Sequence, residues 1–178
     1  MDTFDTIVRC CGHALASVDP ERREELIESI LEGRKVFLYG SGRSGLIGQL
    51  FAVRLVQLGL DVHFVGEMTT PIIGREDTTI LISNTGRTSS VVQTARIARK
   101  IGSRVVCITG EPGSELAETS DVSIVFDMPL DGDIPANAPL GTVFEDSALL
   151  FFDCIVSDIM ARTGTTEEDM RNRHAIWV

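Results

Sequence analysis

The sequence is short of basic charge. Sixteen lysine and arginine residues stand against 26 aspartate and glutamate residues, a formal net of −10 over 178 residues. Such a surface repels phosphate backbones and anionic headgroups, which argues against a nucleic-acid binder and a polybasic membrane-surface protein. Any anionic ligand must be held by local donors, because the global field opposes it. Cysteine is scarce too. Cys10, Cys11, Cys107 and Cys154 include no pair at the C-x-x-C spacing of a zinc or redox site. All four are expected to be buried, reduced thiols of a cytoplasmic protein. No apolar run reaches membrane-spanning length, since the longest candidate, Ala148 to Ile159, is interrupted by Asp153 and Asp158. The opening residues Met1-Asp2-Thr3-Phe4-Asp5 are acidic and show no apolar leader, so no secretory signal is read.

What remains is a chain that is 43% hydrophobic and 24% charged, enough apolar material for the core of one domain. Phe4, Ile7, Val8, Cys11, Leu15 and Val18 recur at helical spacing and predict an amphipathic first helix. Asp19-Pro20 supplies a cap and a first-turn proline for a second helix, with Leu26, Ile27, Ile30 and Leu31 on its apolar face and Gly33 at its end. These two helices either cover a sheet or pair with their copies in another subunit. Short apolar runs then alternate with helical segments. Strands are expected at residues 36–39, 62–65, 78–82, 104–109 and 122–126. Helices are expected at 46–58, 89–101, around 114–119 and at 142–162, and Thr166-x-x-Asp169 reads as the capping box of a last short helix. Continuous apolar strands alternating with helices predict an α/β fold with a parallel sheet covered on both faces. Asp127 to Pro139, with its prolines and aspartates, reads as a mobile loop.

Chemistry concentrates where two strands end. Gly40-Ser41-Gly42-Arg43-Ser44 and Ser83-Asn84-Thr85-Gly86-Arg87-Thr88 each follow a strand and open a helix. Open α/β sheets bind ligands at such places, and a helix start offers unpaired N–H groups to a phosphate. Glycine and serine after a strand are also ordinary turn chemistry; the recurrence of two such loops in one small sheet is what points to a site. Gly40, Gly42 and Gly45 fit the dinucleotide glycine spacing literally. Yet no acidic residue ends the second strand, because Val65-Gly66-Glu67 already lies in the next loop, and no G-K-[ST] is present. No cofactor and no metal are expected.

The order of these two loops resembles that of SIS (sugar isomerase) domains. Val65-Gly66-Glu67, Pro139-Leu140-Gly141-Thr142-Val143-Phe144-Glu145 and Arg173-His174-Ala175 make the chain similar to the 6-phospho-3-hexuloisomerase family within them. The resemblance runs over nearly the whole chain and implies one SIS domain over residues 1–178. Residues 1–33 would be its N-terminal helices, 34–127 its sheet core and 141–178 its C-terminal helices. It implies a three-layer αβα sandwich around a five-stranded parallel sheet, assembled as a homotetramer with active sites between subunits. The implied reaction interconverts a 3-ketohexose 6-phosphate and fructose 6-phosphate. An isomerase for another sugar phosphate or sugar acid, or a sugar-phosphate-binding module without turnover, is the alternative. The second loop departs from the family's Ser-Gly-Ser-Gly-Glu-Thr, with Asn84, Thr85 and Arg87 at the changed positions. Arg87 reverses a charge at the mouth of the site, either to strengthen phosphate binding or to suit another anion.

Moving a carbonyl by one carbon needs a base that takes a proton from the adjacent carbon and returns it next door, through an enediol(ate). Glu145, early in the long helix, is the first candidate; its other reading is a complement to the helix start. His174, in a short tail, is the second, able to reach a neighbouring subunit's site, or simply solvated. The substrate- and phosphate-binding set is Gly40, Ser41, Arg43, Ser44, Glu67, Ser83, Asn84, Thr85, Arg87 and Thr88. Arg43 would anchor phosphate or enediolate charge, or cap a turn. Glu67 would be a second acid or hold a sugar hydroxyl. His63 reads as a satisfied core histidine, His13 receives no role, and Arg171 and Arg173 read as solvated charge.

Overall fold

The computed structural model describes residues 2–128 and 138–176. Most of the expected loop from Asp127 to Pro139 therefore lies outside the described residues, as do Trp177 and Val178. Two helices lead, α1 (Thr3–Ala16) and α2 (Pro20–Glu32). Asp19 caps α2 by accepting from the Glu21 N–H, with Pro20 at the first position, as its sequence predicts. Then follow β1 (Val36–Gly40), α3 (Gly42–Gln57), β2 (Val62–Phe64), β3 (Thr78–Ile82), α4 (Ser89–Ile101), β4 (Arg104–Thr109), α5 (Glu115–Thr119) and β5 (Val122–Val125). Two helices close the chain, α6 (Thr142–Thr163) and α7 (Glu167–Asn172).

The five strands are all parallel in the order β2-β1-β3-β4-β5. Their alternation sorts the core into two layers. Leu38, Ile80, Ile82, Val106, Ile108 and Ile124 face one side, where they meet residues of α2, α3 and α6. Leu81, Val105 and Cys107 face the other and pack under Val91, Val92 and Ala95 of α4 and Leu116 of α5. This is the expected αβα sandwich. Aromatic rings lock α6 to its neighbours. Phe152 stacks on Phe51 of α3 with centroids 4.0 Å apart, and Phe126 meets Phe144 and Phe151 edge-on.

Three expectations need correction. The apolar stripe assigned to the first helix is covered only in part: Cys11 is buried and Ile7, Leu15 and Val18 pack against the core, but the stripe's other two residues are not covered. Thr6, Cys10, Cys11 and Ala14 are buried, while Phe4 and Val8 are exposed. The reason is that α1 packs on α6 and not on the sheet, and small residues let two helices approach; α2 alone of the pair covers strands β4 and β5. Helix α3 begins at Gly42 and not at Leu46. A first turn needs no i−4 partners, so the loop residues themselves form it. Cys154 is exposed on α6, unlike the other three cysteines. Among the described residues, no helix is long and apolar enough to cross a membrane.

The capping box of α7 forms as read. The Thr166 N–H donates to Asp169 Oδ2 at 2.8 Å, and the Asp169 N–H donates to Thr166 Oγ1 at 3.1 Å. The Thr166 hydroxyl, and then its backbone N–H, hold the Asp169 carboxyl below the ordinary aspartate value. A depressed folded value means that the cap is fully present above the ordinary aspartate range and is lost as pH falls through the lowered value. In an NMR titration, Asp169 is expected to show a lower midpoint in the native protein than in Thr166→Ala; equal midpoints would contradict the box.

Candidate active site

Gly40 is in register with Ile82, so β1 and β3 release their chains side by side. Between them the direction of winding reverses: β2 lies beyond β1, and β4 beyond β3. A crevice opens at such a switch point. The first loop pinches tightly there. A Cβ on Gly45 would stand 2.5 Å from the Gly40 oxygen, and one on Gly40 would stand 2.9 Å from the Gly45 nitrogen. The glycines bring the start of α3 directly against the end of β1. In the second loop, Gly86 has φ +59°, and a Cβ there would lie 2.0 Å from Ser114 Oγ. That turn is pressed onto the loop after β4.

Three helix starts meet around this crevice, and none is capped by its own side chain. Ser41 before α3, Thr88 before α4 and Gly141 before α6 make no side-chain cap bond. The starts of α3 and α4 therefore have no side chain of their own over their first-turn N–H groups, which suits an anion, whereas in α6 the Thr142 N–H already donates to the Pro139 carbonyl at 3.2 Å. The Thr88 hydroxyl shares a hydrogen bond with Ser83 Oγ at 3.1 Å. One of that pair donates to the other, which leaves a single hydroxyl proton to offer outward.

Glu145 stands at the junction of two of these helix starts. It is in the first turn of α6, just after the fully buried Phe144. Arg43 Nη2, from the first turn of α3, pairs with Glu145 Oε2 and also donates to the Leu140 carbonyl at 2.6 Å. Ser44 Oγ donates to Glu145 Oε1 at 3.4 Å. The Glu145 side chain is 14% exposed and that of Arg43 51%. Leu140 has φ +55°, the only described non-glycine residue in the left-handed region, and its side chain gains nothing there, since the residue is 93% exposed. Such a conformation costs of order 1–3 kcal/mol and persists only where its surroundings hold it; here the Arg43 guanidinium does so.

Asn84 replaces a glycine of the resembled loop, and the structure shows how it fits. Its carbonyl accepts from the Gly110 N–H at 2.9 Å and from Thr109 Oγ1 at 3.1 Å. Its side chain lies between Gly110 and Gly141, where a Cβ would be 2.6 Å from Oδ1 and 3.2 Å from Nδ2 respectively. Beside it opens a cavity of about 510 Å³ lined by Asn84, Thr85, Arg87, Gly110, Glu111, Met128, Ala138, Gly141, Val143 and Phe144. Gly110, Glu111, Met128 and Leu140 were not among the sequence candidates. The Gly110-Glu111 turn is visible in the sequence, but only the strand order places it next to the second loop.

Gly40, Ser41, Arg43, Ser44, Ser83, Asn84, Thr85, Arg87, Thr88 and Glu145 thus gather around one crevice and its cavity. Glu67 and His174 do not join them. They line another cleft, of about 810 Å³, with Gln49, Val53 and Arg173, and both are exposed. Among the described residues, the His174 ring hydrogen-bonds to its neighbour's carbonyl, Nδ1 to Ala175 O at 3.0 Å, and to no residue of the crevice. Arg173 is not solvated charge: its guanidinium packs over Gly59 and donates to the Gln57 and Leu58 carbonyls. His63 is less enclosed than expected, since it reaches the exposed Asp61 at 2.9 Å from a strand at the sheet edge. Among the described residues, no group of three or more His, Cys, Asp and Glu side chains stands close enough to hold a metal ion.

Residues 29–152 match the SIS domain. The 3-hexulose-6-phosphate isomerase of Methanocaldococcus jannaschii is 40% identical over 85% of this chain and 81% of its own. That of Bacillus subtilis is 32% identical over 92% and 90%. A crystal structure from Methanococcus jannaschii, for which the molecular function of 3-hexulose-6-phosphate isomerase was inferred, superposes with a TM-score of 0.90 at 34% identity, with both chains covered in full.

The pinch of the first loop has a measurable consequence. Gly45→Ala drives a methyl group into the Gly40 carbonyl, a backbone atom that cannot step aside. It is expected to cost about 1–3 kcal/mol, the usual range for overpacking, read as a lower urea midpoint. An unchanged midpoint would show that the loop has slack.

Proposed function

This chain belongs to the SIS domain family, and from that premise we propose that its crevice is the active site of a 3-hexulose-6-phosphate isomerase. The enzyme interconverts 3-hexulose 6-phosphate and fructose 6-phosphate. The observation that carries the site assignment is the Glu145 carboxylate, held by Arg43 and Ser44 where uncapped helix starts converge. The phosphate sits on the second loop, where the α4 N–H groups and the Ser83–Thr88 hydroxyl pair donate to it, with Thr85 and Asn84 beside them. Gly40, Ser41 and Ser44 line the sugar side. Glu145 takes the proton from C2 of the 3-ketose and returns it to C3. The enediolate between them keeps its charge on the oxygens, and the hydroxyl proton passes from O2 to O3, so the net change is a shift of the carbonyl from C3 to C2.

His174 and Glu67 belong to this chemistry through assembly. Each subunit of a cytoplasmic homotetramer lends them to a neighbour's crevice, and the exposed apolar stripe Leu46, Leu50 and Val53 on α3 supplies part of the contact. The whole chain acts as one SIS domain. Its partner is a small sugar phosphate and not nucleic acid, in keeping with the net charge of −10. Arg87 favours a second reading, another sugar phosphate or sugar acid, which a substrate panel separates.

In a dehydrogenase-coupled assay that follows fructose 6-phosphate, Glu145→Gln is expected to lose at least about a hundredfold in kcat, the span of general-base catalysis, with substrate binding retained. Binding without turnover in the unaltered protein would make it a sensor. Ser83→Ala and Thr88→Ala are expected to raise KM more than they lower kcat, because phosphate contacts are common to ground and transition states. Mixing inactive Glu145→Gln with inactive His174→Ala subunits is expected to restore turnover. Failure to do so after verified subunit exchange would count against shared sites.

A further inference from the structure

Two arginines stand at the mouth of the crevice, and the structure gives them different company. We infer that they divide the work: Arg43 is a positioning residue for Glu145, and Arg87 is the cation that meets the phosphate. The inference rests on the isomerase reading above and assigns roles within it.

Arg43 is already engaged. Its Nη2 is bound both to the Glu145 carboxylate and to the Leu140 carbonyl, so it holds the base and the strained residue five positions before it at once. Turning toward a phosphate would release both. It joins the first turn of α3 to the first turn of α6, the two elements whose relative placement decides where the carboxylate lies. A lysine ammonium also offers several donors from one nitrogen, but its shorter, flexible stem does not fix their direction as the planar guanidinium does.

Arg87 is the reverse case. Among the described residues its guanidinium has no hydrogen-bond or ion-pair partner. It is exposed and lines the 510 Å³ cavity with Asn84 and Thr85. It lies two residues before the first residue of α4, beside N–H groups that favour the same anion. Glu111 lines the same cavity, and the chain as a whole is acidic. A dianion entering there meets opposing charge, which a free guanidinium offsets.

The test compares Arg43→Ala, Arg43→Lys and Arg87→Ala by steady-state kinetics and by calorimetric titration with fructose 6-phosphate. Removing Arg43 is expected to lower kcat about a hundredfold, the effect of a misplaced catalytic group, while KM and the fructose 6-phosphate Kd stay within about twofold. Arg43→Lys is expected to recover only part of kcat, and added guanidinium ion to recover more for Arg43→Ala. Removing Arg87 is expected to raise KM and Kd about tenfold, with kcat little changed. Thermal unfolding of each variant separates these effects from loss of fold, and Arg43→Lys serves if the alanine variant is unstable. If Arg43→Ala weakens fructose 6-phosphate binding as much as Arg87→Ala does, or Arg87→Ala leaves it untouched, the division is overturned. The binding arm decides even if the unaltered protein turns over no hexulose phosphate, an outcome that would sink the isomerase reading alone.

Discussion

Gly40 and Ile82 lie level with one another across a parallel strand pair, and the chain leaves both strands in the same direction at the same height. The layout of the candidate site follows from that register. The helix after β1 packs on one face of the sheet and the helix after β3 on the other, so their starts diverge from a common point and leave a crevice between them. Had the two strands been paired one residue out of step, each side chain would have changed faces. The core layers and the loop positions would have been lost together.

The crevice resolves an electrostatic conflict. Under the proposed function, an acidic protein has to hold a doubly charged ester beside the Glu145 carboxylate, and three like charges in a small volume repel. Backbone donors at uncapped helix starts carry part of the load without adding net charge. Arg43 carries another part by pairing with Glu145, and in doing so ties α3 to α6 across the site. The strain at Leu140 belongs to the same arrangement. Its left-handed backbone turns the carbonyl onto the guanidinium and leads into Gly141, so that α6 starts where Glu145 meets Arg43. Phe144, buried among aromatic rings immediately before Glu145, keeps that first turn from rotating.

Much of this was legible in the residues. Strand runs such as residues 105–108 are apolar throughout because both faces are covered. Asp19-Pro20 and Thr166-x-x-Asp169 announce helix starts because their side chains complete local hydrogen bonds. The two loops stand out because glycine and hydroxyl residues recur at successive strand ends. Where the reading went astray, the cause was a neighbour distant in sequence. Phe4 and Val8 fit a helical stripe, yet α1 packs on another helix and buries Cys10 and Ala14 instead. Arg173 looked like surface charge until the carbonyls at the end of α3 came to meet it. Glu111 and Gly110 carried no signal of their own, because their place in the site depends on which strand lies beside β3.

Local sequence therefore determined what each segment is: its helices, strands, caps, tight turns and the chemical kinds of group able to bind an anion or move a proton. Those properties arise from interactions within a few residues, and a linear pattern records them. Tertiary structure alone decided the company those groups keep. It set Arg43 against Glu145 and Leu140, left Arg87 without a partner among the described residues, and put Glu67 and His174 in a cleft of their own. Such pairings span about a hundred residues of chain in the case of Arg43 and Glu145 and depend on strand order and helix packing, which no local pattern encodes.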